Sequence, residues 1–268
     1  MKTVDLGVLD GPLLLFGGPY SNLQATKALL SVAQERGIAP TQMICTGDLV
    51  AYCADGAATV ALLRDHGCAI LAGNCEKQLA AGALDCGCGF DSGTTCDLLS
   101  AGWYAHANDT IDAGQRDWMA DLPDLITFSH AGRRYAVVHG GATDISRFVW
   151  PTSPDAVFAE EFAAITQHVG AVDAVIAGHS GLAFERVSSK GLWLNAGAIG
   201  MPANNGDTAT RYMLLQGGQV EICALKYDYD AAARAMEAAG LRQGYHSALR
   251  TGYWPSEEVL PLDLRRAG

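Results

Sequence analysis

The sequence predicts an α/β protein built on a largely parallel sheet. Two observations predict it. Three times in succession, a short apolar run ends in a cluster of small and polar residues and is followed by a helical stretch. That is the order of strand, turn and helix in a parallel sheet. Apolar residues make up 49% of the 268 and charged residues 18%, enough for a sizeable core and too little charge for a disordered chain.

In the first unit, Leu13–Phe16 runs into Gly17-Gly18-Pro19-Tyr20-Ser21-Asn22. A helix is expected from Ser21 as N-cap, through Leu29, Leu30 and Val32, to a stop near Gly37. In the second, Met43–Cys45 runs into Thr46-Gly47-Asp48, with a helix over about 57–64. In the third, Cys68–Leu71 runs into Gly73-Asn74-Cys75-Glu76, again with a helix behind. Ligands in such sheets bind at the carboxyl ends of the strands, so Asp48, Asn74 and Cys75 belong on that edge.

The middle, about 78–123, reads as a helical and loop-like insert carrying Cys86, Cys88 and Cys96. Helices are expected from near Thr95 through Trp103 and over about Ala113–Leu122. Beyond it, Leu125–Ser129 and Tyr135–Val138 form a hairpin ending at His139-Gly140-Gly141. A helix over Pro154–His168 leads to Ala174–Ala177, which ends at Gly178-His179-Ser180-Gly181. Trp193-Leu194-Asn195 precedes Ala196-Gly197, and Tyr212–Leu215 pairs with Val220–Ala224 across Gly217-Gly218. Two helices, about 229–239 and 243–250, begin a C-terminal tail over about 229–268. Without long linkers or repeats, 1–268 reads as a single domain.

Lys and Arg number 18 against 29 Asp and Glu, a net charge of -11. An acidic surface repels phosphate backbones and anionic membranes, so the expected partner is a small-molecule substrate, with no nucleic acid and no membrane. No run approaches the ~20 apolar residues of a membrane span, and the N-terminus lacks the features of a signal peptide. A cytoplasmic location is the expectation. The eight cysteines then read as thiols or ligands rather than as a disulfide framework.

Asp48, Asn74, His139 and His179 each follow a strand and have glycine beside them. One carboxylate, one amide oxygen and two imidazoles suit a divalent transition metal. In order and spacing, Gly47-Asp48, Gly73-Asn74-Cys75-Glu76, His139-Gly140 and Gly178-His179-Ser180-Gly181 resemble the motifs of the calcineurin-like metallophosphoesterases, in particular the compact bacterial phosphodiesterase and diadenosine tetraphosphatase-like branch. The resemblance extends to Asp48-Leu49-Val50-Ala51-Tyr52 and to Asn195-Ala196-Gly197-Ala198-Ile199-Gly200, and covers roughly 13–240. It implies a four-layer αββα sandwich of two mixed β-sheets, with the metals between strand ends.

Set against that pattern, one of the family's two metals keeps all its ligands as Asp48, Asn74, His139 and His179. The other keeps only the bridging Asp48, because Gly18, Tyr20 and Gly181 stand where the family has Asp, His and His. All three losses fall on the same metal. The resemblance therefore implies a hydrolase with a reduced, mononuclear centre holding zinc, manganese or iron and acting on a small phosphorylated or nucleotide-like substrate. Cys75 replaces the family His that contacts phosphate and protonates the leaving group; it could also be a metal ligand, a nucleophile or a buried filler. Tyr20 is a candidate proton donor or oxyanion contact in the vacated site, or a plug for it. Asn22 and Arg147 are candidate substrate contacts, Arg147 with a surface salt bridge as its alternative. Glu160 and Glu161 read as a solvated helix face.

Cys86, Cys88 and Cys96 leave three readings open: a separate metal or redox site, incidental thiols, or a loop that folds over the metal and lends it a thiolate. Two other readings of the whole protein stay open. One is an enzyme using iron or another redox metal on a non-phosphate bond such as C–S or C–N; the other is a non-catalytic metal- or ligand-binding module.

Overall fold

A computed structural model describes residues 1–266. The chain runs β1 (Thr3–Val8), β2 (Leu13–Phe16), α1 (Leu23–Glu35), β3 (Met43–Cys45), α2 (Gly56–His66), β4 (Ala69–Ile70) and α3 (Asn74–Ala81). It continues through α4 (Thr95–Thr110), α5 (Ala113–Asp121), β5 (Leu125–His130), β6 (Arg133–Val137), α6 (Asp155–Val169), β7 (Ala174–Ala177), β8 (Ala183–Val187) and β9 (Leu192–Ala196). It closes with β10 (Thr210–Gln216), β11 (Gln219–Leu225), α7 (Tyr229–Ala238) and α8 (Tyr245–Thr251).

The strands form two mixed sheets, a six-stranded one in the order β1-β5-β6-β7-β9-β8 and a five-stranded one in the order β11-β10-β2-β3-β4. Side chains along a strand alternate between its two faces, and here both faces are covered. In β2, Leu13 and Leu15 enter the core between the sheets, whereas Leu14 and Phe16 enter the core under the helices. In β6 and β7, Tyr135, Val137, Ala174 and Ile176 face the other sheet, while Ala136 and Val175 pack against Phe158, Phe162 and Ile165 of α6. The result is the four-layer αββα sandwich.

Two strands are additions to the sequence reading. β1 and β8 are the two edges of the six-stranded sheet and are largely exposed, so neither carries a continuous apolar run. The cap of α1 is a correction. Asn22, not Ser21, is the N-cap, its side chain accepting from the Ala25 amide. Ser21 takes a left-handed φ of 58° and its hydroxyl accepts from the Ala51 amide. No helix among the described residues is long and apolar enough to cross a membrane.

Candidate metal centre

Four loops leave strand ends and meet at one rim. Asp48 follows β3, Asn74 opens α3 after β4, His139 follows β6, and His179 follows β7. The first two belong to one sheet and the last two to the other, so the site forms where the sheets' edges meet. Gly178 permits the approach, since a Cβ there would fall 2.3 Å from Thr46 Oγ1 on the facing sheet. Tyr20, Asp48, Tyr52 and His179 all hold left-handed φ, between 44° and 55°. Backbone strain of this kind in non-glycine residues gathers at functional sites.

Asp48, His139 and His179 each bring a ligand atom into a cluster no more than 4.8 Å across. His139 sits at its centre. Its Nδ1 lies 2.6 Å from the Thr46 carbonyl, which can only accept, so that nitrogen carries the proton of the neutral ring. Its Nε2 then faces Asn74 Oδ1 at 3.0 Å, His179 Nδ1 at 3.1 Å and Asp48 Oδ2 at 3.3 Å. Asn74 Nδ2 donates to the Cys86 carbonyl at 2.8 Å, which turns its oxygen toward His139. Lone pairs from four residues thus converge on one small buried space. That is the donor set and the arrangement a divalent cation needs.

The electrostatics point the same way. Burial alone would depress the His139 pKa, but Asp48 outweighs it and the value is raised. Burial would raise Asp48, yet His139 and His179 hold its carboxyl below the ordinary value. The site attracts positive charge. Burial and neighbouring His139 press His179 down to about 3, leaving its ring neutral with a lone pair free. His179 Nε2 is buried and has no hydrogen-bond partner among the described residues.

Glu76 is the supporting residue whose role the sequence reading did not assign, although it lies within the Gly-Asn-Cys-Glu motif. Its fully buried carboxylate accepts from the Asp48, Gly73 and Val50 amides and so fixes the two loops that carry Asp48 and Asn74. Burial and then Asp48 raise its pKa to about 7. Glu161 corrects a second expectation. It is not solvated but fully buried, accepting from Ala142, Thr143 and Arg147 and so anchoring the loop after His139.

Of the other expected site residues, Cys75 and Tyr20 lie at the cluster's margin. The Cys75 amide lies 3.4 Å from Asp48 Oδ1, and its buried thiol has a pKa pushed well up by burial, Asp48 and Glu76. The Tyr20 ring fills the space beside Gly18 and Gly181, with its hydroxyl 3.6 Å from where a Gly181 Cβ would stand. Asn22 is engaged in the scaffold: besides capping α1, it donates to the Gly200 carbonyl and Tyr227 hydroxyl. Arg147 pairs with Glu160 and Glu161. Both side chains bind their own fold, and Arg147 does so in a salt bridge to the buried Glu161.

A small pocket of about 50 Å³ opens beside His179 and is walled by Tyr20, Tyr52, Phe148, Trp150, Tyr245 and Trp254. Trp254 is held there by its indole N–H to the Pro202 carbonyl. No Lys or Arg lines this pocket among the described residues. Isolated aromatics from distant segments compose the wall, so no local sequence pattern marks it as a whole.

Residues 20–217 match the model of the calcineurin-like phosphoesterase superfamily domain. The chain belongs to the calcineurin-like phosphoesterase superfamily. The fold agrees. A metallophosphoesterase from Sphaerobacter thermophilus superposes with a TM-score of 0.68 at 19% identity, covering 91% of this chain and all of that one. A hypothetical protein from Pyrococcus horikoshii OT3 superposes with a TM-score of 0.71 at 12% identity, covering 91% and 98%. No match was found among curated protein sequences. Against this family background, the Asp48–His139–His179 cluster is the candidate metal site.

The cysteines also bring a correction. Cys86 and Cys88 form a disulfide rather than remaining thiols; the other six are free. Gly87 between them is left-handed, φ 59°, and turns the chain so that the two Cα atoms lie 5.3 Å apart, within disulfide range.

Proposed function

We propose that the protein is a metal-dependent phosphoester hydrolase with a single cation, held by Asp48, Asn74, His139 and His179. The observation that carries this reading is the convergence of lone pairs on His139 Nε2. A divalent cation in that space supplies Lewis acidity toward a phosphoryl oxygen and acidifies water. Support for one cation rather than two comes from Tyr20, whose ring occupies the ground between Gly18 and Gly181.

The remaining chemistry belongs to the chain. His139 is oriented by Thr46, Asn74 by Cys86, and Asp48 by Glu76 acting on its amide. Cys75, at the first turn of α3 beside Asp48, takes the role of hydrogen-bond donor to the leaving group. Tyr20 takes that of oxyanion contact. The aromatic walls of the pocket beside His179 offer no cation for a second phosphate.

The test is hydrolysis of aryl and nucleoside phosphomonoesters and diesters by metal-loaded protein. Phosphoester cleavage is expected, strengthened by added divalent metal and lost in Asp48→Ala. A metal-loaded protein that cleaves none of them would overturn the reading in favour of a binding module.

A further inference from the structure

The disulfide-bonded loop rests on the candidate metal centre itself. Asn74 Nδ2 donates to the Cys86 carbonyl at 2.8 Å and lies 3.5 Å from Cys88 Sγ, while Oδ1 of the same amide faces His139 Nε2. The Cys88 sulfur is therefore separated from the convergence point by one amide group. On the other side, Ser146 donates to the Gly87 carbonyl. Phe90 stacks on Phe148, and Phe148 packs against the His179 ring at 4.4 Å between centroids. The loop is thus fastened to two of the four residues of the metal site, and both its sulfurs are buried there.

We propose that Cys88 is a further, redox-gated ligand of this centre: its thiolate joins the cation only when the Cys86–Cys88 disulfide is reduced. The inference rests on the metal-site reading above. In the disulfide form Asp48, Asn74, His139 and His179 offer only oxygen and nitrogen, a set that manganese accepts. In the dithiol form, sulfur moves the preference toward zinc, iron(II) or cobalt(II). The exchange balances with a small thiol as reductant. Two of its molecules supply two electrons and leave as their own disulfide, the Cys86–Cys88 bond breaks, and each cysteine sulfur gains a proton. Binding of the cation then displaces the Cys88 proton.

Cobalt(II) titration of the full chain tests this without reference to turnover. Thiolate coordination gives a near-ultraviolet charge-transfer band. Protein reduced with a phosphine should show the band and bind cobalt roughly tenfold more tightly than the disulfide form, which should lack it. Cys88→Ser should abolish the band and keep the weaker affinity, whereas Cys86→Ser should show the band with no reduction step. Cobalt bound with ligand-field bands alone in the reduced protein overturns the proposal and leaves the metal site standing. A band that survives in Cys88→Ser also overturns it, and no cobalt binding in either form overturns the metal site as well. Should Cys88→Ser fail to fold, the reduced and oxidised wild-type spectra decide.

Discussion

Asn74 Oδ1 stands 3.0 Å from His139 Nε2, and in the neutral ring neither atom carries a hydrogen to share. Each is turned that way by its other end, Asn74 by the Cys86 carbonyl and His139 by the Thr46 carbonyl. Two acceptors held face to face in a buried site, with Asp48 beside them, create a demand for positive charge that a cation meets. The catalytic reading rests on this arrangement.

Cys75 is assigned to the reaction rather than to metal binding. Cys75→Ala should lower kcat about 100-fold, within the range of a lost general acid. Its metal content should stay at the wild-type level by elemental analysis. Loss of metal together with activity would make the thiol a ligand instead.

On the single-cation proposal, the Tyr20 ring takes the space of the second family metal. A Cβ at Gly18 would sit 2.5 Å from the Tyr20 ring, in a residue with φ of 47°. Gly18→Asp alone should therefore cost about 2 kcal/mol or more, read as a lower Tm. Adding Tyr20→Ala should recover part of that loss, since it removes the overlap. An unchanged Tm in Gly18→Asp would show that the ring moves aside freely.

The fold was legible where apolar runs are continuous, as in Leu13–Phe16 and Ala174–Ala177, because both faces of those strands are buried. It was not legible at β1 and β8, edge strands with little buried surface. The four proposed ligands were legible because glycines flank each of them after a strand. Glu76, Glu161 and the aromatic wall were not, since their roles depend on which backbone amides and distant segments come to meet them. Asn22 stood out only by resemblance; its capping of α1 depends on where that helix starts.

Asn22 supplies the corresponding stability prediction. Asn22→Ala removes the α1 cap and the bonds to Gly200 and Tyr227, and should cost about 2 kcal/mol in denaturant unfolding. KM of the folded enzyme should not change. A raised KM with unchanged stability would return Asn22 to the substrate.

Asp124 gives a pH dependence away from the centre. Burial would raise its pKa, but Lys77 and the Lys2 amide outweigh that and hold it below the ordinary value. A depressed carboxyl stabilises the fold above its unfolded pKa of 3.8 and loses that contribution as pH falls through the lower folded value. Asp124→Asn should cost less than about 1 kcal/mol at neutral pH, since the pair is partly exposed. The difference from wild type should shrink under acid, as followed by urea unfolding at several pH values. A gap that widens toward low pH would contradict the assignment.

Whether one cation binds Asp48, Asn74, His139 and His179 is decided by counting metal per chain. Protein purified without added metal or chelator, or reconstituted with zinc, manganese or iron, should carry about one equivalent. That equivalent should be lost in His179→Ala and in Asp48→Ala. Two equivalents per chain, or one that survives both substitutions, would rule out a single cation on these four residues.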